Sequence, residues 1–240
     1  KELAEALGVN AVLTTLVLSY NGIGPTGATA IAEALQCNRV LTNLGLVNNN
    51  IGDEGAAALA SALRVNGVLT NLNLFYNSIG DEGAMAVASA LRVNEVLTSL
   101  NVSGNDLTET AASARLAPQR SPSTCRAALT SLDVGYNRLT EEAALGIVRV
   151  ERQRNKLTSL GLVRCSIGPT GAAEIAEYVS GSGVLKNLNL YNNNIRDEGV
   201  AAIAEALRGN GVMTNLVLSG NNIGGEGAKA LASALRVNAV

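Results

Sequence analysis

The sequence predicts an α/β fold: a curved, right-handed solenoid (a horseshoe) of 28-residue strand–helix units, with a parallel sheet on the concave face and helices on the convex face. Three observations carry this. The text "IGDEGAAALASALRVNGVLTNLNL" at 51–74 returns 28 residues later as "IGDEGAMAVASALRVNEVLTSLNV", and a fixed period in this range marks a stack of similar supersecondary units. Within each unit the "LxxLxLxxN" portion alternates apolar and polar residues like a half-buried strand, and the "GAAALASAL" portion spaces Ala and Leu as a helix does. Neighbouring strands lie about 4.8 Å apart whereas packed helices need about 8–10 Å. A strand–helix stack therefore bends with its strands inside.

Taken in order, residues 1–12 form a partial unit, because "KELAEAL" matches the helix text "TAIAEAL". Eight units follow, starting at Leu13, Leu41, Leu69, Leu97, Leu129, Leu157, Leu185 and Met213. The step from Leu97 to Leu129 is 32 residues, so the unit 97–128 carries a four-residue insertion, within "RLAPQRSPSTCR". Its Pro118 and Pro122 interrupt the helix. Strands are expected around 16–19 and the seven equivalent positions, all in one array spanning 1–240. Both ends of the sequence fall inside the repeat, which leads to the expectation of a fragment of a longer chain or of an end packed on a neighbour.

Each recurring residue has an architectural role. Pro25 and Pro169 suit a first helical turn, and Asp53 and Glu54 complement a helix N-terminus. Such glycine-rich helix starts hold phosphate elsewhere. Here the carboxylates beside them repel it, so no nucleotide loop is expected. Asn10, Asn38, Asn66, Asn94, Asn210 and Asn238 are expected to close helices in the left-handed conformation.

The units resemble leucine-rich repeats of the ribonuclease-inhibitor-like subclass, on the strength of "LxxLxLxxN" followed by "IGxxGAxAIAxAL" over essentially all 240 residues. The resemblance implies an asparagine ladder at the strand ends: Asn21, Asn49, Asn77, Asn105, Asn137, Asn193 and Asn221, with Cys165 replacing Asn in the sixth unit. It also implies recognition of other proteins, as in nucleotide-binding immune receptors and scaffolds. Two alternatives accompany it: a regulator of the Ran GTPase-activating kind, with an exposed arginine such as Arg164 acting on phosphate, and a passive spacer in a larger assembly.

Composition narrows the chemistry. There is no His, which removes the commonest general base and metal ligand. With no cysteine cluster and no recurring acid on the concave face, we expect no enzyme activity, no metal and no cofactor. No apolar run reaches the roughly 18 residues of a membrane span, so no direct membrane insertion is expected. Cys37, Cys125 and Cys165 are odd in number and irregular in spacing, as suits reduced thiols in a cytoplasmic protein. Cys125, in the inserted segment, is expected to react first.

Function is expected where the units differ. Of six aromatic residues, Tyr20, Phe75, Tyr76, Tyr136 and Tyr191 fall in the last two variable positions before the ladder, and Tyr178 replaces a helix Ala. Rings exposed among Asn and Ser match a protein-binding surface. The candidate partner-binding residues are Tyr20, Asn48, Asn73, Phe75, Tyr76, Asn101, Asp133, Tyr136, Arg164 and Tyr191. A second candidate is electrostatic. Residues 115–164 hold nine basic and four acidic residues, against nine and sixteen in the rest. Arg120, Arg126, Arg149, Arg152, Arg154, Lys156 and Lys186 fall near helix-to-strand turns and are expected to share a basic rim. Such a rim would attract an acidic protein; nucleic acid is not expected, because the chain is acidic overall and lacks a nucleic-acid motif.

Overall fold

Each period folds as one short strand, a turn and one helix. The computed structural model describes residues 2–111 and 128–238, which fall into two compact units, Lys1–Leu132 and Asp133–Val240. The first unit runs α1 (Glu2–Val9), β1 (Thr15–Val17), α2 (Gly24–Cys37), β2 (Asn43–Gly45), α3 (Gly52–Leu63), β3 (Asn71–Asn73), α4 (Asp81–Leu91) and β4 (Ser99–Asn101). β5 (Ser131–Asp133) falls at the division. The second unit continues with α5 (Glu141–Arg154), β6 (Ser159–Gly161), α6 (Pro169–Gly181), β7 (Asn187–Asn189), α7 (Arg196–Arg208), β8 (Asn215–Val217) and α8 (Gly225–Asn238).

Pairing is parallel, one repeat per step. In the first unit Leu16, Leu44, Leu72 and Leu100 are in register; in the second, Leu160, Leu188 and Leu216. These leucines point to the helix side, because alternate strand residues face opposite ways. Leu41, Leu44 and Leu46 meet Ile51, Ala56, Leu59 and Leu63 in a core with almost no solvent contact, and Leu157, Leu160 and Leu162 meet Ile167, Ile175 and Val179 likewise. Burying each large aliphatic side chain stabilises by about 1.5–3 kcal/mol. The other strand face is left to polar side chains.

The upper ladder forms as the resemblance implies. Asn49 Oδ1 accepts from the backbone of Asn21 (3.0 Å), Asn77 Oδ1 from Asn49 (3.0 Å) and Asn105 Oδ1 from Asn77 (2.9 Å). Each amide also donates backwards, as Asn77 Nδ2 does to Leu46 O (2.8 Å). In the second unit Asn193 Oδ1 accepts from Cys165 N (3.0 Å).

One expectation needs correction. Asn38, Asn66, Asn94 and Asn210 are not left-handed helix closers; Asn38 is extended, at φ −65° and ψ 132°, and none of the set has positive φ. They are buried and build a second ladder. Asn66 Nδ2 donates to Leu35 O (2.7 Å) while its Oδ1 accepts from Val68 N (3.0 Å) and Leu69 N (2.8 Å). Asn94 and Asn210 repeat the pattern. The side chain therefore has full hydrogen bonding without the left-handed backbone. The left-handed helix cap is Asn155, at φ 47°.

Asp53 and Glu54 lie in the first turn of α3 as expected, and Asp53 also serves the next helix. Its Oδ1 accepts from Gly80 N (2.7 Å) and Gly83 N (2.9 Å) at the start of α4. A Cβ on Gly83 would stand 2.7 Å from that oxygen, so the close approach requires glycine. Asp197 and Glu141 reach the starts of α8 and α6 in the same way. Tyr178 is buried in the helix layer as expected.

Candidate protein-interaction surface

The residue before each upper-ladder position has left-handed backbone in every repeat: Tyr20 (φ 62°), Asn48 (52°), Tyr76 (53°), Gly104 (65°), Tyr136 (53°), Arg164 (52°), Asn192 (54°) and Gly220 (71°). Asn and Gly adopt it readily, whereas Tyr and Arg do so at a cost of order 1 kcal/mol. Hydrogen bonds to the neighbouring repeat hold the position, as Tyr76 N to Ser103 O (3.2 Å) and Tyr136 N to Val163 O (2.7 Å). The conformation turns these side chains out of the sheet. Tyr and Arg are weak left-handed formers, so the sequence signal lay in the Asn and Gly that share their column.

In the first unit the strand face is uncharged. Asn71 Nδ2 donates to Asn43 Oδ1 (2.5 Å), and Asn43 Nδ2 to Thr15 Oγ1 (3.2 Å), one amide row across β1–β3. In the next row Asn73 Oδ1 accepts from Phe75 N (3.0 Å), and Asn101 Oδ1 from Ser103 N (2.9 Å) and Oγ (2.6 Å). These bonds fix the strand ends that carry the rings. Phe75 and Tyr76 meet edge to face, centroids 4.4 Å apart. A Cβ on Gly104 would lie 2.8 Å from Phe75 Cε2 and 3.1 Å from Tyr76 Cδ2, so this glycine makes room for both rings. Tyr76 remains 53% exposed and Tyr20 71%. Asn48, in the left-handed column, lies one repeat before Tyr76 and donates its backbone N–H to Phe75 O (2.9 Å).

The second unit differs. Asp133 Oδ1 accepts from Gly135 N (2.9 Å), and burial pushes its carboxyl above the usual aspartate range. Only glycine fits at Gly161, where a Cβ would stand 2.5 Å from Asp133 Cγ. The Arg164 guanidinium carbon lies 5.3 Å from the Tyr136 ring centroid. With its amide turned so that the oxygen faces the guanidinium, Asn192 accepts from Arg164 Nε (2.7 Å) and Nη2 (3.1 Å). Tyr191 is exposed, its backbone held by Asn189 Oδ1 (3.1 Å).

Of the basic residues expected on one rim, three are already paired with acids. Arg149 bridges Glu142 and Glu174, Arg152 holds Glu177 (2.5 Å), and Arg154 is largely buried against Glu151 (2.5 Å). Their charge is neutralised within the helix layer. Lys156 and Lys186 are exposed. Arg120, Arg126 and Cys125 lie outside the described residues.

The family model described as Leucine Rich repeat matches residues 9–32, 37–60, 65–88, 93–114, 154–176, 184–204 and 209–232. None of the curated proteins matches the chain. Among solved structures, leiomodin-1 actin-binding site 2 is similar at 17% identity, covering 99% of this chain and 88% of that one with a TM-score of 0.33. The tropomodulin C-terminal domain of Caenorhabditis elegans is similar at 14% identity, covering 74% and 89% with a TM-score of 0.47. An internalin of Listeria monocytogenes is similar at 18% identity, covering 83% and 61% with a TM-score of 0.46. No helix among the described residues is long and apolar enough to cross a membrane. With seven matched segments that together span well over half of its length, the chain belongs to the leucine-rich repeat family.

Proposed function

We propose that the chain is a non-catalytic recognition module, of the ribonuclease-inhibitor-like subclass and cytoplasmic, that binds a protein partner on its strand face. The observation that carries this reading is the Phe75–Tyr76 pair: two rings locked edge to face, one of them largely exposed on a left-handed backbone, among the amides of Asn48, Asn73 and Asn101. Rings already held in place lose little entropy on binding, and protein interfaces draw most of their energy from a few such anchors. Tyr20 extends the same surface in the first unit. Asp133, Tyr136, Arg164 and Tyr191 supply that of the second.

The test uses Phe75→Ala with Tyr76→Ala. Protein retained from cell extract by the immobilised chain is compared with that retained by the double variant. The variant should keep the parent's unfolding free energy to within about 1–2 kcal/mol, since neither ring lies on the leucine side of the sheet. It should hold the same protein at least about tenfold less tightly. Equal retention by the two would refute the proposal.

A further inference from the structure

The strand face of the second unit is electrostatically one-sided. Its one acidic position among the described residues is Asp133, half-buried, bonded to Gly135 N and harder to ionise than an ordinary aspartate. Against it stand Arg164 on the face and Lys186 just before β7, both exposed; Arg196, the first residue of α7, is exposed too but is followed by Asp197 and Glu198. Among the described residues neither Arg164 nor Arg196 makes an ion pair. Arg164 is held by the Tyr136 ring and the Asn192 amide, and Arg196 Nε donates to Asn194 Oδ1 (3.2 Å). This is the reverse of α5 in the same unit, where Arg149, Arg152 and Arg154 each hold a glutamate.

The guanidinium of Arg164 is also preorganised. Tyr136, Arg164 and Asn192 follow one another across three repeats, each on left-handed backbone at 52–54°. The ring backs the guanidinium and Asn192 holds its Nε and Nη2 edge, leaving Nη1 without a hydrogen bond among the described residues. An amide and a ring orient the cation without cancelling its charge. An exposed arginine oriented in this way is built to meet an anion.

We infer that Arg164, backed by Tyr136 and Asn192, takes a carboxylate from an acidic segment of the protein partner. The inference rests on the reading of the strand face as a protein-binding surface. Charge complementarity selects an acidic segment. The surroundings select a protein over a nucleic acid: besides Lys186 the neighbours are Tyr191, Asn189 and Asn187, and one arginine with one lysine is not the row of cations that a phosphate backbone requires.

The test titrates a labelled hexaglutamate peptide into the intact chain at low salt, with hexaglutamine and a single-stranded hexathymidylate as comparisons. Hexaglutamate should bind and hexaglutamine should not, and added salt should weaken the complex. Arg164→Gln should weaken it about tenfold, Arg164→Lys less, since Lys keeps the charge but not the planar fork. Arg152→Gln, which removes an arginine already neutralised by Glu177, should leave it unchanged. Circular dichroism confirms that each variant is folded. The inference is overturned if hexaglutamate does not bind, if its binding ignores Arg164, or if hexathymidylate binds with the same dependence on Arg164. The Phe75→Ala, Tyr76→Ala variant keeps the two readings separable, because it leaves Arg164 untouched. Should the double variant lose the protein partner while hexaglutamate ignores Arg164, the acidic-segment inference falls alone. Should the double variant hold the partner normally while hexaglutamate depends on Arg164, the strand-face reading falls instead.

Discussion

The junction between α3 and α4 and the junction between α5 and α6 are built on the same plan with different parts. At the first, Leu63 and Leu91 fill the core, Ala62 and Ala90 let the helices approach, and Asn66 and Asn94 carry the lower ladder. At the second, the Leu column holds Glu151, the Ala column Tyr178 and the Asn column Arg154 and Ser182. α5 packs on α6 more sparsely than α3 on α4 or α6 on α7. Glu151 Oε2 and Tyr178 Oη are buried with no hydrogen-bond partner among the described residues. The lower ladder becomes a relay in which Ser182 Oγ donates to Asn155 Oδ1 (2.9 Å). The upper ladder is interrupted at the same place, by Cys165. In a repeat array stability is close to a sum over units and junctions, so a junction with both ladders altered and a core leucine replaced by a glutamate is where the stack opens first.

The largest effect should come from breaking the polar substitute. Glu151→Leu leaves Arg154 buried without the carboxylate it holds, which costs about 3–5 kcal/mol. Adding Arg154→Asn, so that both columns match the first unit, should recover this loss and exceed the parent by about 1–2 kcal/mol. Denaturant unfolding reads both numbers, and amide exchange places them: protection should rise in α5 and α6 and stay constant in α3 and α4. A double variant no more stable than Glu151→Leu alone would show that this junction is not weakened by its ions.

The complementary change damages a complete junction. Asn66→Ala removes two acceptors' donor and two donors' acceptor at one buried site, and should cost about 2–3 kcal/mol. The first unit should then lose its advantage in exchange protection over α5 and α6. A loss below about 0.5 kcal/mol would make the lower ladder a consequence of the stack rather than one of its supports.

How far these contrasts could be read from the sequence depends on where each residue's partner lies. The leucine columns and the upper ladder were legible, because periodicity alone places them. The lower ladder was legible as a column but not in its role: Asn66 bonds a carbonyl 31 residues back, and helix-end asparagines have a simpler local explanation. The second role of Asp53 was missed for the same reason, its partner being 27 residues on. At α5 the alignment already set Glu151 in a leucine column and Arg154 in an asparagine column. Counting their charge suggested a surface rim, whereas their columns place them inside. The aromatic positions were visible as a cluster, but the left-handed backbone that turns Tyr76 and Tyr136 outward was not, since neither residue favours it.

The smallest and sharpest change restores one rung. At Cys165 the thiol donates weakly to Val163 O (3.6 Å) and offers no carbonyl oxygen to the repeat before it. In the next rung Asn193 Oδ1 accepts from Cys165 N and Ile167 N, and Nδ2 donates to Leu162 O (2.9 Å). By the same 28-residue step, Asn at 165 would serve Leu139 N and Val134 O. Cys165→Asn should therefore stabilise the chain by about 1 kcal/mol, although it enlarges a fully buried side chain. The pH dependence distinguishes this gain from mere packing. Burial, with the charge of Asp133 added, pushes the Cys165 thiol from its ordinary 9.0 up to about 12. The raised value means that the folded chain keeps a proton that the unfolded chain releases. The thiol's contribution is complete below pH 9 and fades as pH climbs from 9 towards 12. The advantage of Cys165→Asn over the parent should thus be constant below pH 9 and widen above it. In the parent at pH about 8, a thiol reagent should modify exposed Cys37 at once and Cys165 only as fast as the α5–α6 junction opens. Prompt labelling of Cys165 in the native chain, or an advantage that does not change with pH, would remove this cysteine from the account of the weak junction.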